Sequence, residues 1–310
     1  MEKNAFRYFR KMSQFFGGVQ IPMTYFPLVL KTYPNMNSSF PLHLSMNRLK
    51  KGFPAHRHDF LEFSYVIEGS GSETINGVKH TMQPGTFTFV LPYQVHELFT
   101  DPGSTLVLYN CMFSMDLLME QGLDGDFSAL LDDLDRLTSY AQFTGEDATV
   151  LGRLTAEMFV EYTSKERWRR TMLQVKLKEI LVHFDRHRRE HSAAAREEQS
   201  PSRTASSVWP IIHYIHSNYR EELTLTSLSH QFPLSVSRIS ERIKETTGQT
   251  FVQFLHDVRI RHACGLLAST DMSVSEIALE VGYGSYKTFS RIFRENKGIV
   301  PTDYRKSAGS

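Results

Sequence analysis

The chain has 310 residues, 35 Lys and Arg against 34 Asp and Glu for a formal net charge of +1, and two cysteines, Cys111 and Cys264. That length supports two domains with cores of their own, and two distant cysteines in apolar surroundings exclude a disulfide framework and a zinc finger while fitting free thiols in a reducing cytosol. No apolar run is long enough to span a membrane and the N-terminal stretch, interrupted by Gln20, Pro22, Pro27 and Lys31, lacks a signal-peptide core, so a cytoplasmic protein with no membrane partner is expected.

Residues 1–45 are rich in aromatics with scattered prolines and no sustained period, which reads as an arm or a few edge strands packed on the adjoining domain. From 46 to 113, short β-runs alternate with turn residues: Leu61–Ile67, Glu73–Ile75, Val78–Met82, Thr86–Leu91 and Ser104–Tyr109. Asn76-Gly77 between two of them is a strong hairpin signal, because a two-residue type I′ turn needs positive φ at both positions. Many short strands at this spacing predict a small antiparallel barrel or jelly roll. If one strand carries them, His56, His58 and Glu62 share a face by period two, and His96 can enter from a neighbouring strand. Three imidazoles and a carboxylate suit a divalent transition metal. They also suit the polar lining of a small-molecule pocket, which is the reading adopted over a metal site, with no metal and no other cofactor assigned.

Residues 114–190 turn helical. Leu151, Leu154, Met158, Phe159 and Tyr162 fit one apolar face, and Leu173, Leu177, Ile180, Leu181 and Phe184 fit another. Such faces need the barrel or a second copy as partner, so this segment is expected to build a homodimer. His183, His187 and His191 repeat at helical spacing among Arg186, Arg188 and Arg189, which reads as a solvated basic face rather than a metal site. Residues 191–207 have almost nothing to bury and read as a linker.

Residues 208–310 carry two helix-turn-helix patterns in tandem. In the first, Thr224 can cap a helix bearing Leu228, a turn follows at Phe232-Pro233-Leu234, and Ser235 caps a second helix with Ile239 and Ile243 inward. Ser237, Arg238, Ser240 and Glu241 point outward from it. In the second, Ser273 and Glu276 form a capping box, Gly282 supplies the turn, and a helix from near Ser285 buries Phe289, Ile292 and Phe293. Its opposite face bears Tyr286, Lys287, Ser290 and Arg291. Between them, Thr250–Leu255 leads into a helix apolar enough to be a rigid brace. Two readers held at fixed separation can enter successive major-groove segments, about 34 Å apart. The balanced net charge hides segregation: residues 116–147 are rich in Asp, while Lys287, Arg291, Arg294, Lys297, Arg305 and Lys306 crowd the end. Local charge decides where phosphate binds. There is no Gly-rich phosphate loop, nucleophile elbow or pair of catalytic carboxylates, so no catalytic residue is assigned and no enzyme is expected.

Segment 208–305 resembles the DNA-binding domain of the AraC/XylS family of bacterial transcription regulators. The run from Ile277-Ala278 through Phe293 matches the family signature, and Gly298, Pro301, Tyr304 and Arg305 match its closing Gly-x-x-Pro-x-x-Tyr-Arg pattern. His56, His58, Glu62 and Gly69 resemble the first motif of the cupin barrel that serves many such regulators as effector domain, whereas Pro84-Gly85 and His96 depart from the second-motif spacing of metal-binding cupins. The resemblance implies that the second helix of each unit reads bases in double-stranded DNA. The first unit departs from the pattern at Pro233, where a glycine is usual, and at Glu241, where an arginine is common.

The fold class expected is multi-domain α+β: an N-terminal cupin-like antiparallel β-barrel with a helical dimerisation segment, then a C-terminal all-α domain with two helix-turn-helix units. The function implied is a transcription regulator, by family precedent an activator working with RNA polymerase. It would respond to a small-molecule effector, with carbohydrates favoured, held by His56, His58, Glu62 and His96. Two rivals stand beside it: a metal-dependent cupin enzyme with an appended DNA-binding domain, and a ligand-independent DNA-binding protein with a structural barrel.

Overall fold

The structure, a computed structural model, describes residues 27–30, 32–36, 38, 40–118, 137–195 and 208–308. Most of the N-terminal arm and of the Asp-rich stretch, and residues 196–207 of the expected linker, lie outside the described residues. The chain divides into two compact units, the first built mainly on Leu42–Phe113 and Ser139–Leu181, the second mainly on Val182–Ser310.

Alternating apolar and polar residues, broken by glycine and proline, give the first unit its strands: β1 (Leu28–Leu30), β2 (Leu42–Leu49), β3 (Phe53–His58), β4 (Leu61–Glu68), β5 (Gly71–Ile75), β6 (Val78–Met82), β7 (Thr86–Val90), β8 (His96–Thr100), β9 (Leu106–Phe113) and β10 (Tyr140–Gln142). They form two five-stranded sheets in the orders β1-β3-β8-β5-β6 and β10-β7-β4-β9-β2. All pairings are antiparallel except that of β1 with β3, which departs from the expected all-antiparallel barrel. The β5–β6 hairpin turns as its sequence requires, with φ of 48° at Asn76 and 85° at Gly77. The sheets reach beyond 46–113 on both sides, because β2 pairs with β9 from Leu42 to Leu49 and β10 pairs with β7.

Val66, Met82, Leu98, Leu106 and Leu108 pack as one buried cluster drawn from both sheets. Phe63, Phe87, Phe89 and Phe113 are also fully buried. Burying each such ring contributes about 1.5–3 kcal/mol, which fixes the register of β4, β7 and β9. Two helices follow in sequence, α1 (Gly145–Thr163) and α2 (Arg169–Ala195). α1 lies on the outer face of β2 and β4: the Tyr65 hydroxyl donates to Ala148 O at 2.8 Å, and His43 Nδ1 is 3.0 Å from the Tyr162 hydroxyl. The apolar face of α1 is thus covered by the sheet of its own chain. α2 continues through residues 191–195, where the linker was expected to begin. On α2 the expected solvated basic face is partly interior, since Arg188 is 2% exposed and paired with Asp185, and His187 is 9% exposed.

The second unit is helical among its described residues: α3 (Trp209–Ser217), α4 (Leu225–Gln231), α5 (Val236–Thr247), α6 (Phe251–Ser269), α7 (Val274–Glu280), α8 (Tyr286–Lys297) and α9 (Pro301–Ala308). Thr224 caps α4 and forms a reciprocal box with Ser227, and Ser273 does the same on α7 with Glu276. Such a cap is worth about 1 kcal/mol and sets where a short helix starts. Pro233 is accommodated because Phe232 stays extended and Leu234 N–H donates to Phe232 O at 2.7 Å, so this turn needs no positive φ. The second turn does need one. Gly282 has φ 86°, and a Cβ there would lie 2.6 Å from Arg220 O. Both cysteines are buried free thiols.

Candidate functional site

In the second unit, each helix-turn-helix presents its second helix with one face buried and one open. Ile239 and Ile243 of α5 and Phe289 and Phe293 of α8 are buried, and Ile292 is half-buried. On α5, Ser237, Arg238 and Glu241 are exposed and Ser240 is half-buried, with Arg238 ion-paired to Glu241. On α8, Tyr286, Lys287 and Arg291 are exposed and Ser290 is half-buried. These four line one concave surface together with Arg294, Glu295 and Val300. Arg294 was part of the terminal basic cluster but not of the expected reading set; it joins the surface because it lies three residues beyond Arg291 on the same helix. Arg291 Nη1 donates to Glu295 Oε1 at 2.8 Å.

The brace between the readers is α6. Its Asp257 accepts from Gln249 Nε2 at 2.5 Å, just past the end of α5, and from Asn296 Nδ2 at 2.6 Å, near the end of α8. Arg259 of the same helix donates to Tyr219 O and Glu221 O at 2.7 and 2.8 Å. Both readers are therefore tied through Asp257 to one rigid helix, which Arg259 anchors in turn to the segment after α3.

In the first unit, His56, His58 and His96 come together as expected, with their ligating atoms all within 4.8 Å of one another. The single-strand geometry expected for His56, His58 and Glu62 is corrected. The chain turns at Asp59 and Phe60, so the two histidines lie on β3 in one sheet while Glu62 lies on β4 in the other. Glu62 meets the histidines across the sandwich: its Oε2 is 3.5 Å from His58 Nε2, and its Oε1 accepts from Asn110 Nδ2 at 2.8 Å. His96 sits opposite His56 in the β3–β8 register, and its Nε2 is 3.2 Å from His58 Nε2.

Sequence reasoning missed Glu73 and His80. Glu73 Oε1 holds His96 Nδ1 at 2.9 Å and its Oε2 lies 3.4 Å from His80 Nε2, while Tyr140 stacks on the His80 ring at 4.0 Å. The signal was present: Gly71, Glu73 and Ile75 share the buried phase of β5, and a carboxylate at a buried phase needs a partner.

Burial, reinforced by His96, holds His56 at about 3, and burial with both neighbouring imidazoles holds His58 well below the ordinary histidine range. Burial opposes charge on His96 too, but the Glu73 hydrogen bond and the charges of Glu62 and Glu73 outweigh it and raise His96. Burial pushes Glu73 up, and the hydrogen bonds from His80 and His96 more than reverse this, holding it at about 2. Burial raises Glu62 against the pull of His96 and the Asn110 amide. At neutral pH the cluster thus offers neutral imidazoles on β3 and a charged carboxylate behind His96.

Comparison with known proteins gives two family matches: an AraC-like ligand binding domain over residues 48–133 and a helix-turn-helix domain over residues 228–307. The HTH-type transcriptional activators RhaS of Shigella flexneri and of Escherichia coli K12 are each 24% identical over 282 residues, covering 88% of this chain and 94% of theirs. Among solved structures, ToxT from Vibrio cholerae aligns over 86% of this chain and 98% of its own at 13% identity and a TM-score of 0.37. The C-terminal domain of AraT from Geobacillus stearothermophilus aligns over 34% and 88% at 33% identity and a TM-score of 0.33.

Proposed function

The chain belongs to the AraC-type transcription regulators, with an AraC-like ligand binding domain ahead of a helix-turn-helix domain, and from that premise we propose that it switches transcription in response to a small molecule. The observation that carries the DNA half of the reading is the concave face of α8, where Tyr286, Lys287, Ser290 and Arg291 open to solvent together. We assign these four, with Ser237, Arg238, Ser240 and Glu241 on α5, to the DNA interface. In the major groove Arg291 would pair with a guanine edge, Lys287 would contact phosphate, and Glu241 would accept from a cytosine amino group. The RhaS relatives are named activators, which favours activation through RNA polymerase over repression.

The effector half rests on the buried cluster of His56, His58, Glu62 and His96, polar groups that converge between the two sheets beside Glu73, His80 and Asn110. A small molecule bound there, with carbohydrates the class favoured by family precedent, would bias the regulator. A homodimer through the helices near 150–190 would place two pairs of readers on one operator. Action in the cytoplasm, without catalysis, completes the reading; no described helix is long and apolar enough to cross a membrane.

The test is a fluorescence titration of Arg291→Ala and Lys287→Ala against an operator selected from random DNA. Loss of a bidentate Arg291–guanine pair is expected to cost about 1–3 kcal/mol and relax preference at one base, while loss of Lys287 weakens all sequences evenly and flattens the salt slope by about one. Unchanged affinity in both variants would remove α8 from the interface.

A further inference from the structure

We propose that Asp257 sets the spacing between the two DNA segments that the second unit accepts, by holding both reading helices to α6 through one carboxylate. The proposal rests on the reading of α5 and α8 as the two DNA-contacting helices. Gln249 Nε2 donates to Asp257 Oδ2 at 2.5 Å, and Asn296 Nδ2 donates to Asp257 Oδ1 at 2.6 Å. A carboxylate only accepts, so both amides turn their NH2 groups to it and each oxygen serves one reader. Gln249 follows Gly248, the left-handed residue that ends α5, and Asn296 lies in the last turn of α8. Gln249 is itself fixed to α5, because its N–H donates to Thr247 Oγ1 at 3.1 Å and that hydroxyl donates to Ile243 O at 2.8 Å.

Apolar burial holds these helices in place but leaves their angle soft, because it is non-directional. Hydrogen bonds to a charged acceptor are short and directional. The difference matters because α8 is a lever. Tyr286 and Asn296 lie about 15 Å apart along it. A tilt of about 10° about Asn296 moves Tyr286 by about 2.6 Å, most of the about 3.4 Å between successive bases of a strand.

The residue beside Asp257 supports the same role. His256 stacks on Tyr283 with ring planes 8° apart, and its Nδ1 lies 3.1 Å from the Tyr283 hydroxyl. Tyr283 follows Gly282 in the turn that enters α8, so consecutive residues of α6 hold the approach to this reader and its far end. One base pair added between two DNA segments turns the second by about 34–36° and carries it about 3.4 Å along the axis. Readers tied to one carboxylate cannot follow that change, whereas readers joined by packing alone can in part.

The test titrates the full-length protein, by anisotropy, against an operator selected from random DNA and against the same operator with one base pair inserted or removed between its two recognised segments. The parent should bind the altered spacings at least about ten-fold more weakly. Asp257→Ala should reduce that preference to about two-fold or less. Gln249→Ala and Asn296→Ala, which change no charge, should each do likewise, and at half-buried and exposed positions they decide the matter if Asp257→Ala does not fold. Asp257→Asn separates geometry from charge: one partner amide flips to meet its NH2, both ties return as neutral bonds, and most of the spacing preference should survive. Both Asp257 variants gain general affinity alike, since each removes one negative charge near the phosphates. Parental spacing preference in a folded Asp257→Ala protein overturns the proposal, as does its loss in Asp257→Asn to the same extent as in Asp257→Ala. A parent indifferent to spacing would overturn the two-reader reading and the proposal with it, whereas a parent that discriminates upholds that reading whatever the variants do.

Discussion

Arg291 is not waiting free in the protein: its guanidinium is engaged by Glu295, with both side chains about 60% exposed. An exposed pair of this kind is worth about 0–1 kcal/mol, less than the about 1–3 kcal/mol of a bidentate guanine contact, so in the interface proposed above DNA would displace Glu295 at small cost. Glu295→Gln is accordingly expected to tighten operator binding about two- to five-fold at low salt, with the gain shrinking as salt rises. Anisotropy titrations at two salt concentrations check this, and weaker binding would place Glu295 itself on the DNA. At this scale the α8 face was legible because 3.6-residue spacing separates Phe289 and Phe293 from Lys287 and Arg291 without any tertiary information. The histidine cluster was legible only in its members. Glu73 and His80 were missed because their meaning depends on being register partners on β5 and β6, and pairing across strands is not written in one strand's own pattern.

Whole elements were readable where local chemistry decides them and obscure where distant pairing does. The capped helices α4, α5, α7 and α8 announce themselves through Thr224, Ser235, Ser273 and Ser285. β3 carries Pro54 and three basic residues, so nothing in its composition marks it as a strand until β8 pairs with it. α3 shows an element-level consequence of burial. His216 on this helix is 5% exposed, its Nε2 has no hydrogen-bond partner, and its ring meets Phe254 edge-on at 5.7 Å. Burial first, then the positive groups of Arg261, His262 and His213, hold its imidazole well below the ordinary histidine range. As pH falls through about 6.5, the unfolded chain binds a proton here that the folded chain refuses, so folded-state stability is lost in that direction. The slope from one such group is at most about 1.4 kcal/mol per pH unit. His216→Leu removes that proton from the balance. The drop in melting temperature between about pH 7.5 and about pH 5.5 should be smaller in the variant than in the parent; an equal drop would show that His216 does not contribute to acid sensitivity.

For the molecule as a whole, a net charge of +1 says little, because basic residues at the DNA end offset an Asp-rich stretch elsewhere in the chain. The expectation that the apolar helix faces need a second copy is modified by α1, whose buried face is satisfied by β2 and β4 of the same chain. On the two helices of that unit the exposed large apolar side chains are Val160 on α1 and Met172 and Val175 on α2, open by 67, 41 and 53%. If a homodimer forms, these residues are where a partner helix would find unspent apolar surface, and the sequence alone did not distinguish them from Leu154 or Leu177 because all are apolar residues of the same two helices. Joining two pairs of readers multiplies affinity through effective concentration, by about 10²–10⁴ where the geometry lets both engage. The full chain is therefore expected to sediment as a dimer and to bind a two-site operator far more tightly than residues 208–310 alone. The double substitution Val160→Asp, Val175→Asp should convert it to a monomer and bring its affinity down to that of the fragment, while leaving the fold of each unit intact by circular dichroism. A full-length protein that is monomeric at operator-binding concentrations, with the affinity of the fragment, would take the dimer out of the account and leave recognition to the two readers of a single chain.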